Sequence, residues 1–288
     1  MMMNNSYQRM VKLRDYSSAF SRSVFKDIVK FQDFSHLNWL CQHYRRGSTK
    51  DMSYFDYLKG IYFELTKEYR CEYVYKNELL GYLIKLFGTK DSSAYNEFHV
   101  GNSIVDIALF NGESKSFEIK TEYDTRKRLN KQLGDYKKLF DKCYVVIPYD
   151  KENLYKEIDR STGILTLKRH QGRLILQIVQ EAQQNSTFDS DLLMSCLRTN
   201  EYESIIQSWY GELPNVSASN MYKECLPLFG QIPSDELKSL FLKEIKKRQP
   251  NALIISKAPT FLRQVCLSLN LSTKDMQQLV KQLEEPIR

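Results

Sequence analysis

Residues 103–121, SIVDIALFNGESKSFEIKT, decide the fold. An apolar run, the pair Asn111-Gly112 and a second strand-like run make a hairpin, because Asn-Gly between two strand-like runs is the strongest short-range hairpin signal. Such a hairpin sets Asp106 across from Glu118. Side chains alternate along a strand, so Glu118 and Lys120 share one face while Phe117 and Ile119 take the other. Two carboxylates and an ammonium then converge on one surface.

The elements around the hairpin extend the reading. Apolar spacing predicts a helix over 74–87, strands over 95–100, 103–110 and 116–121, a helix over 125–140 and a strand over 143–147. That order is α-β-β-β-α-β, and the expected fold class is α/β. The fourth strand is apolar throughout, as befits a strand covered on both faces. A second hairpin, with strands over 164–168 and 173–178, is expected to widen the sheet.

Two carboxylates beside a lysine suit phosphodiester cleavage. Oxygen ligands of this kind hold Mg2+ or Mn2+, which polarises a phosphoryl oxygen, and the lysine orients water or stabilises developing charge. Asp106 lies between Val105 and Ile107, and Glu118 between Phe117 and Ile119, in strands that otherwise call for burial. A carboxylate in such surroundings needs a partner. The bland alternative is that Lys120 merely pairs with one of the acids.

Asp106 followed by Glu118-Ile119-Lys120 resembles the PD-(D/E)XK nuclease superfamily. The longer stretch 117–148, FEIKTEYDTRKRLNKQLGDYKKLFDKCYVVIP, is similar to a little-characterised bacterial and phage family within it, through the pattern E-I-K-[ST]-x-x-D-[ST]-x-x-R-L-x-x-Q-x-x-x-Y followed by F-D and a strand. The resemblance covers roughly residues 69–180. The proline of the superfamily's name is missing, since Val105 precedes Asp106. The resemblance implies an αβββαβ core and a nuclease using Asp106, Glu118, Lys120 and Gln132, with the metal on Asp106, Glu118 and the Ile119 carbonyl. It also implies DNA rather than RNA as substrate, and a setting in an anti-phage or mobile-element system.

Glu97 is the preferred third carboxylate and Glu78 the next, with Glu72 also near the first helix. Gln132 falls on the apolar stripe of Leu129, Leu133, Tyr136 and Phe140, where a packing helix would carry an aliphatic residue. It is expected to face the site or to make a capping or interhelical hydrogen bond. Arg126, Arg128, Lys131 and Tyr136 are the candidate nucleic-acid contacts, within a basic cluster that includes Lys127, Lys137 and Lys138. Asp124 and Thr125 read as a device that starts the helix.

The flanks are helical: 1–70 forms an N-terminal segment, 71–182 the α/β core and 183–288 a C-terminal region. Gly47-Ser48-Thr49 marks a break, and the polar stretch 184–190 the second boundary. In the last region Ser272 and Asp275 are spaced as a capping box. The helix behind them carries Lys274, Gln277, Gln278 and Lys281, a helix-turn-helix pattern that is more often plain packing. A protein partner for these helices is the other expectation.

With 288 residues, 42% of them hydrophobic, the chain has material for a sizeable core, and its net charge of +7 favours an anionic partner. Six singly spaced cysteines argue against a zinc ribbon and a disulfide framework. They point to a reducing compartment, with the cytoplasm as the default. No apolar run approaches a membrane span and the first residues lack a signal-peptide core, so no membrane partner is expected.

Overall fold

A computed structural model describes residues 2–44, 51–155, 157–185, 188–248 and 251–288. The expected break at Gly47-Ser48-Thr49 and part of the expected boundary near residue 186 fall outside them.

Five helices come first: α1 (Met2–Ser18), α2 (Arg22–Phe31), α3 (Ser35–Tyr44), α4 (Tyr54–Glu68) and α5 (Glu72–Phe87). Then follow β1 (Ser93–Val100), β2 (Ser103–Phe110), β3 (Ser114–Ile119), α6 (Leu129–Tyr136) and β4 (Lys142–Pro148). A 3-10 helix (Tyr149–Tyr155), β5 (Gly163–His170) and β6 (Arg173–Gln180) complete the strand region. The remaining helices are α7 (Ser190–Ser195), α8 (Thr199–Tyr210), α9 (Ala218–Gln231), α10 (Ser234–Lys247), α11 (Ala252–Lys257), α12 (Arg263–Ser268) and α13 (Thr273–Leu283).

The protein is thus α/β, with a six-stranded mixed sheet in the order β1-β2-β3-β4-β5-β6. The first three strands pair antiparallel, β3 pairs parallel with β4, and β4 pairs parallel with β5. The crossover between β3 and β4 carries α6, as a parallel connection requires. β3 is buried along its whole length and β4 at all but its first residue, in line with strands covered on both faces.

Two compact units share the chain. One comprises residues 1–86, 169–175 and 253–288; the other comprises 87–168 and 176–252. This division differs from the sequence-based boundaries at 70 and 182: α5 falls almost wholly in the first unit, and the helices after β6 are parcelled between the two.

In the sheet-bearing unit Leu193, Ile205, Phe229, Phe241 and Ile245 join Phe110, Tyr136, Phe140 and Val145 in one core. Phe241 of α10 meets Phe110 of β2 at 6.3 Å between ring centroids. The edge strand β1 is closed by Asn251, whose amide accepts from Ala94 N at 3.0 Å and donates to Ala94 O at 2.7 Å, substituting for a strand partner. These helices are part of the sheet's own core, which argues against a detachable C-terminal domain.

The other unit is helical. α4 buries Tyr54, Tyr57 and Tyr62 and leaves Phe63 exposed. Asn77 of α5, fully buried, donates to Tyr62 Oη at 2.8 Å and Thr260 O at 2.7 Å and accepts from Gln264 N at 3.1 Å. The Ser272–Asp275 capping box forms, and α13 turns Met276, Leu279 and Leu283 inward with Lys274, Gln277, Gln278 and Lys281 outside.

Glu78 also belongs here, where its Oε1 accepts from Tyr62 Oη at 2.5 Å. Burial pushes the Glu78 carboxyl above its usual range, and Tyr62 and the Arg263 charge only partly offset this. A raised carboxyl is worth most to stability when protonated, so this contribution is full below the ordinary carboxylate range and fades as pH rises through the folded value. Replacing Glu78 by Gln keeps an acceptor for Tyr62 and removes the charge. Thermal melts of E78Q are therefore expected to show unchanged or higher Tm at neutral pH and a weaker fall of Tm between acid and neutral pH than wild type; an unchanged pH slope would refute the assignment.

Candidate active site

The hairpin register pairs Ile107 with Phe117, which makes Asp106 and Glu118 the next cross-strand positions. On the other side, β1 and β2 pair on either side of Glu97 and Asp106 but not at them. There Glu97 takes φ 55°, the left-handed region that a glutamate rarely enters. Strand alternation shifts at this point in both strands: Tyr95 and Phe98, three apart, join the same core, as do Val105 and Ala108. The interruption lets the Asp106 carboxylate turn along the sheet, and its Oδ2 accepts from Ile119 N at 2.8 Å.

Glu118 is buried, 2% exposed. Its Oε1 lies 2.7 Å from Lys120 Nζ and its Oε2 accepts from Tyr136 Oη at 2.7 Å. Buried carboxylates need such partners. The alternation expected for Glu118 and Lys120 places both on one face, and Lys120 N holds the end of β3 against Val146 O at 2.9 Å. Gln132 faces this cluster: its Oε1 accepts from Lys120 Nζ at 3.2 Å. An ammonium has three N–H bonds. Two are used here, leaving one for a further acceptor.

Tyr136 was expected at the nucleic acid. It is fully buried instead, and its single hydroxyl hydrogen lies between Glu118 Oε2 and Ile104 O, the latter at 2.6 Å. Burial, then the Glu118 charge and hydrogen bond, then Asp106, push its phenol far above the usual range, so it remains a donor that orients Glu118.

The other expected residues are placed as follows. Glu97 is exposed and opposite Asp106 in strand order, yet among the described residues no three His, Cys, Asp or Glu side chains lie close enough to share a metal ion. Glu72 pairs with Lys76 at 2.5 Å in the helical unit. Arg128 and Lys131 are exposed on or beside α6. Arg126 is engaged with the 3-10 helix, donating to Leu154 O and lying 5.6 Å over the Tyr155 ring. Lys137 pairs with Asp159 at 2.6 Å. The helix begins at Leu129 and not near 125, because Asp124 Oδ2 turns back to Thr121 N at 2.8 Å and Thr121 Oγ1 at 2.7 Å, closing a turn before it.

What remains is a hard-oxygen pair, Asp106 and Glu118, next to a main-chain carbonyl at Ile119. That donor chemistry fits magnesium or manganese, which take one or two carboxylates and keep several waters. Lys120 and Gln132 supply polar atoms beside it.

Comparison with known proteins adds a family. The family model described as Bacteriophage P4 protein cII matches residues 66–283, most of the chain and all of the site. Protein cII of Enterobacteria phage P4 is 25% identical over 178 residues, 60% of this chain and 66% of that protein, so the chain spans just under two thirds of the length of this curated relative. Among solved structures, a protein of unknown function from Silicibacter pomeroyi, SPO1766, is similar at 12% identity and a TM-score of 0.33, covering 49% of this chain and 94% of that one.

Proposed function

The chain belongs to the Bacteriophage P4 protein cII family, and from the cluster carried by the matched region we propose that it is a metal-dependent nuclease with a PD-(D/E)XK-type core. One observation carries the reading: a carboxylate 2% exposed, Glu118, shares a face with Lys120 and Gln132 and sits at the cross-strand position of Asp106. The order α5-β1-β2-β3-α6-β4 supports it, being the αβββαβ order of the superfamily that the motif resembles.

Asp106, Glu118 and the Ile119 carbonyl would hold Mg2+ or Mn2+, which would polarise a phosphoryl oxygen of the substrate. Lys120, with an N–H bond to spare, orients the attacking water or stabilises charge on the scissile phosphate. Gln132 fixes the ammonium, and Tyr136 fixes Glu118. Arg128 and Lys131 position the backbone of the nucleic acid, with DNA favoured by the superfamily resemblance.

A second reading is favoured by a specific feature. Both Glu118 oxygens and Asp106 Oδ2 already have protein partners. Such a self-satisfied cluster suits a subunit that binds without cutting, or one held silent until a protein partner of an anti-phage or mobile-element system releases it.

Labelled double-stranded DNA, single-stranded DNA and RNA incubated with Mg2+, Mn2+ or EDTA separate the two. The nuclease reading expects products with either metal and none in EDTA. Binding without products in any metal would move the weight to the second reading.

A further inference from the structure

The parallel strands β3, β4 and β5 end at one edge of the sheet, since Ile119 pairs with Val146 and Pro148 with Leu167. Lys120 leaves the sheet at this edge, and the loop after it meets the 3-10 helix. Lys151 Nζ donates to Glu122 O, and Arg126 donates to Leu154 O. These contacts hold two large aromatic side chains at the rim, Tyr123 at 53% exposure and Tyr149 at 51%. Lys168 Nζ lies 5.2 Å over the Tyr149 ring. Exposed rings interleaved with cations suit bases on a phosphate chain, because every base has a π face and each phosphate a charge.

The site's depth selects among nucleic acids. The Glu118 side chain is 3% exposed and that of Lys120 12%. A phosphate in the wall of a duplex is held at the duplex's own radius, whereas a single strand bends into a recess. Inside a duplex both faces of a base are covered by its neighbours, so a stacking ring meets no free face except at an end.

We propose that Tyr123 and Tyr149 form a stacking platform that feeds a single nucleic-acid strand toward Asp106, Glu118 and Lys120. This deepens the nuclease reading and rests on it for the strand's destination. The platform takes unpaired bases without sequence preference, and Lys151 and Lys168 follow the backbone.

Fluorescence anisotropy in EDTA tests it, using a labelled deoxyoligonucleotide, its ribose counterpart and the matching duplex. Expected are single-strand binding tighter than duplex binding by about tenfold or more, and a loss of about five- to hundredfold in Y123A and in Y149A. Y149F is expected to bind like wild type, which separates loss of the ring from loss of the fold. Binding of either single strand in this manner supports the platform, and the tighter one names the sugar. Duplex binding as tight as single-strand binding, or full affinity in both alanine variants, would overturn it. Because EDTA stops metal chemistry, tyrosine-dependent binding with no cleavage after Mg2+ is restored would sink the nuclease reading and leave the platform. Cleavage of blunt duplex at equal rates in wild type, Y123A and Y149A would sink the platform and leave the nuclease.

Discussion

Asp106→Asn is expected to lower metal-dependent cleavage at least about a hundredfold while the melting temperature stays near that of wild type. The amide oxygen of Asn can still accept from Ile119 N, the contact that Asp106 makes at 2.8 Å, but it carries no charge for a divalent cation. Asn is therefore a cleaner probe than Ala, which would also strand the Ile119 amide. Lys120→Ala is expected to reduce cleavage on the same scale for a different reason, loss of the ammonium beside the scissile phosphate. It also carries a structural cost. Glu118 is 3% exposed at its side chain and would keep only Tyr136 as a partner, so a stability loss of about 1–3 kcal/mol accompanies the loss of activity. Single-turnover cleavage and urea titration of the two variants separate these effects. Full activity in D106N would remove Asp106 from the site.

The second large effect concerns stability. Asp141 is fully buried between β3 and α10, where it accepts from Ser114 N at 2.8 Å, Ser114 Oγ at 2.9 Å and Gln184 Nε2 at 2.5 Å, and pairs with Lys238. Asp141→Ala leaves a buried amide without its acceptor and an ammonium without its counter-charge, and is expected to cost about 3–5 kcal/mol in urea unfolding of the sheet-bearing unit. Asp141→Asn keeps an acceptor for Ser114 and loses only the charge, so its cost is expected to be about 1–2 kcal/mol. Equal and small losses in the two variants would mean that Asp141 is not what holds α10 to the sheet.

Asp141 also marks where reading the sequence stops. Phe140-Asp141 stood in the motif pattern without a role, since nothing in the spacing of residues 117–148 brings Lys238 to it. Tyr136 stands in the same pattern, on the apolar stripe with Gln132, and is a candidate nucleic-acid contact in the sequence. Its place opposite Glu118 depends on which face α6 lays on the sheet, and the apolar residues Leu129 and Leu133 set that face. Tyr123 and Tyr149 are far apart in sequence and share a rim only because β3 and β4 run parallel and end together.

The helical flanks divide in the same way. Their helices were legible from apolar spacing, and the cap at Ser272 and Asp275 from residue type, both being local properties. Their partners were not. Asn77 reaching Thr260 and Asn251 closing β1 join residues more than 150 positions apart, at 183 and 157.

By itself the sequence determined the hairpin, the α-β-β-β-α-β order, and the common face of Glu118 and Lys120, because turn signals and side-chain alternation act over a few residues. Only the tertiary structure decided that the β1–β2 pairing breaks at Glu97, that Tyr136 serves Glu118 from inside, and that the last helices are divided between two units. Those outcomes depend on long-range burial and on an interrupted strand pair, and neither leaves a mark on the spacing of residues along the chain.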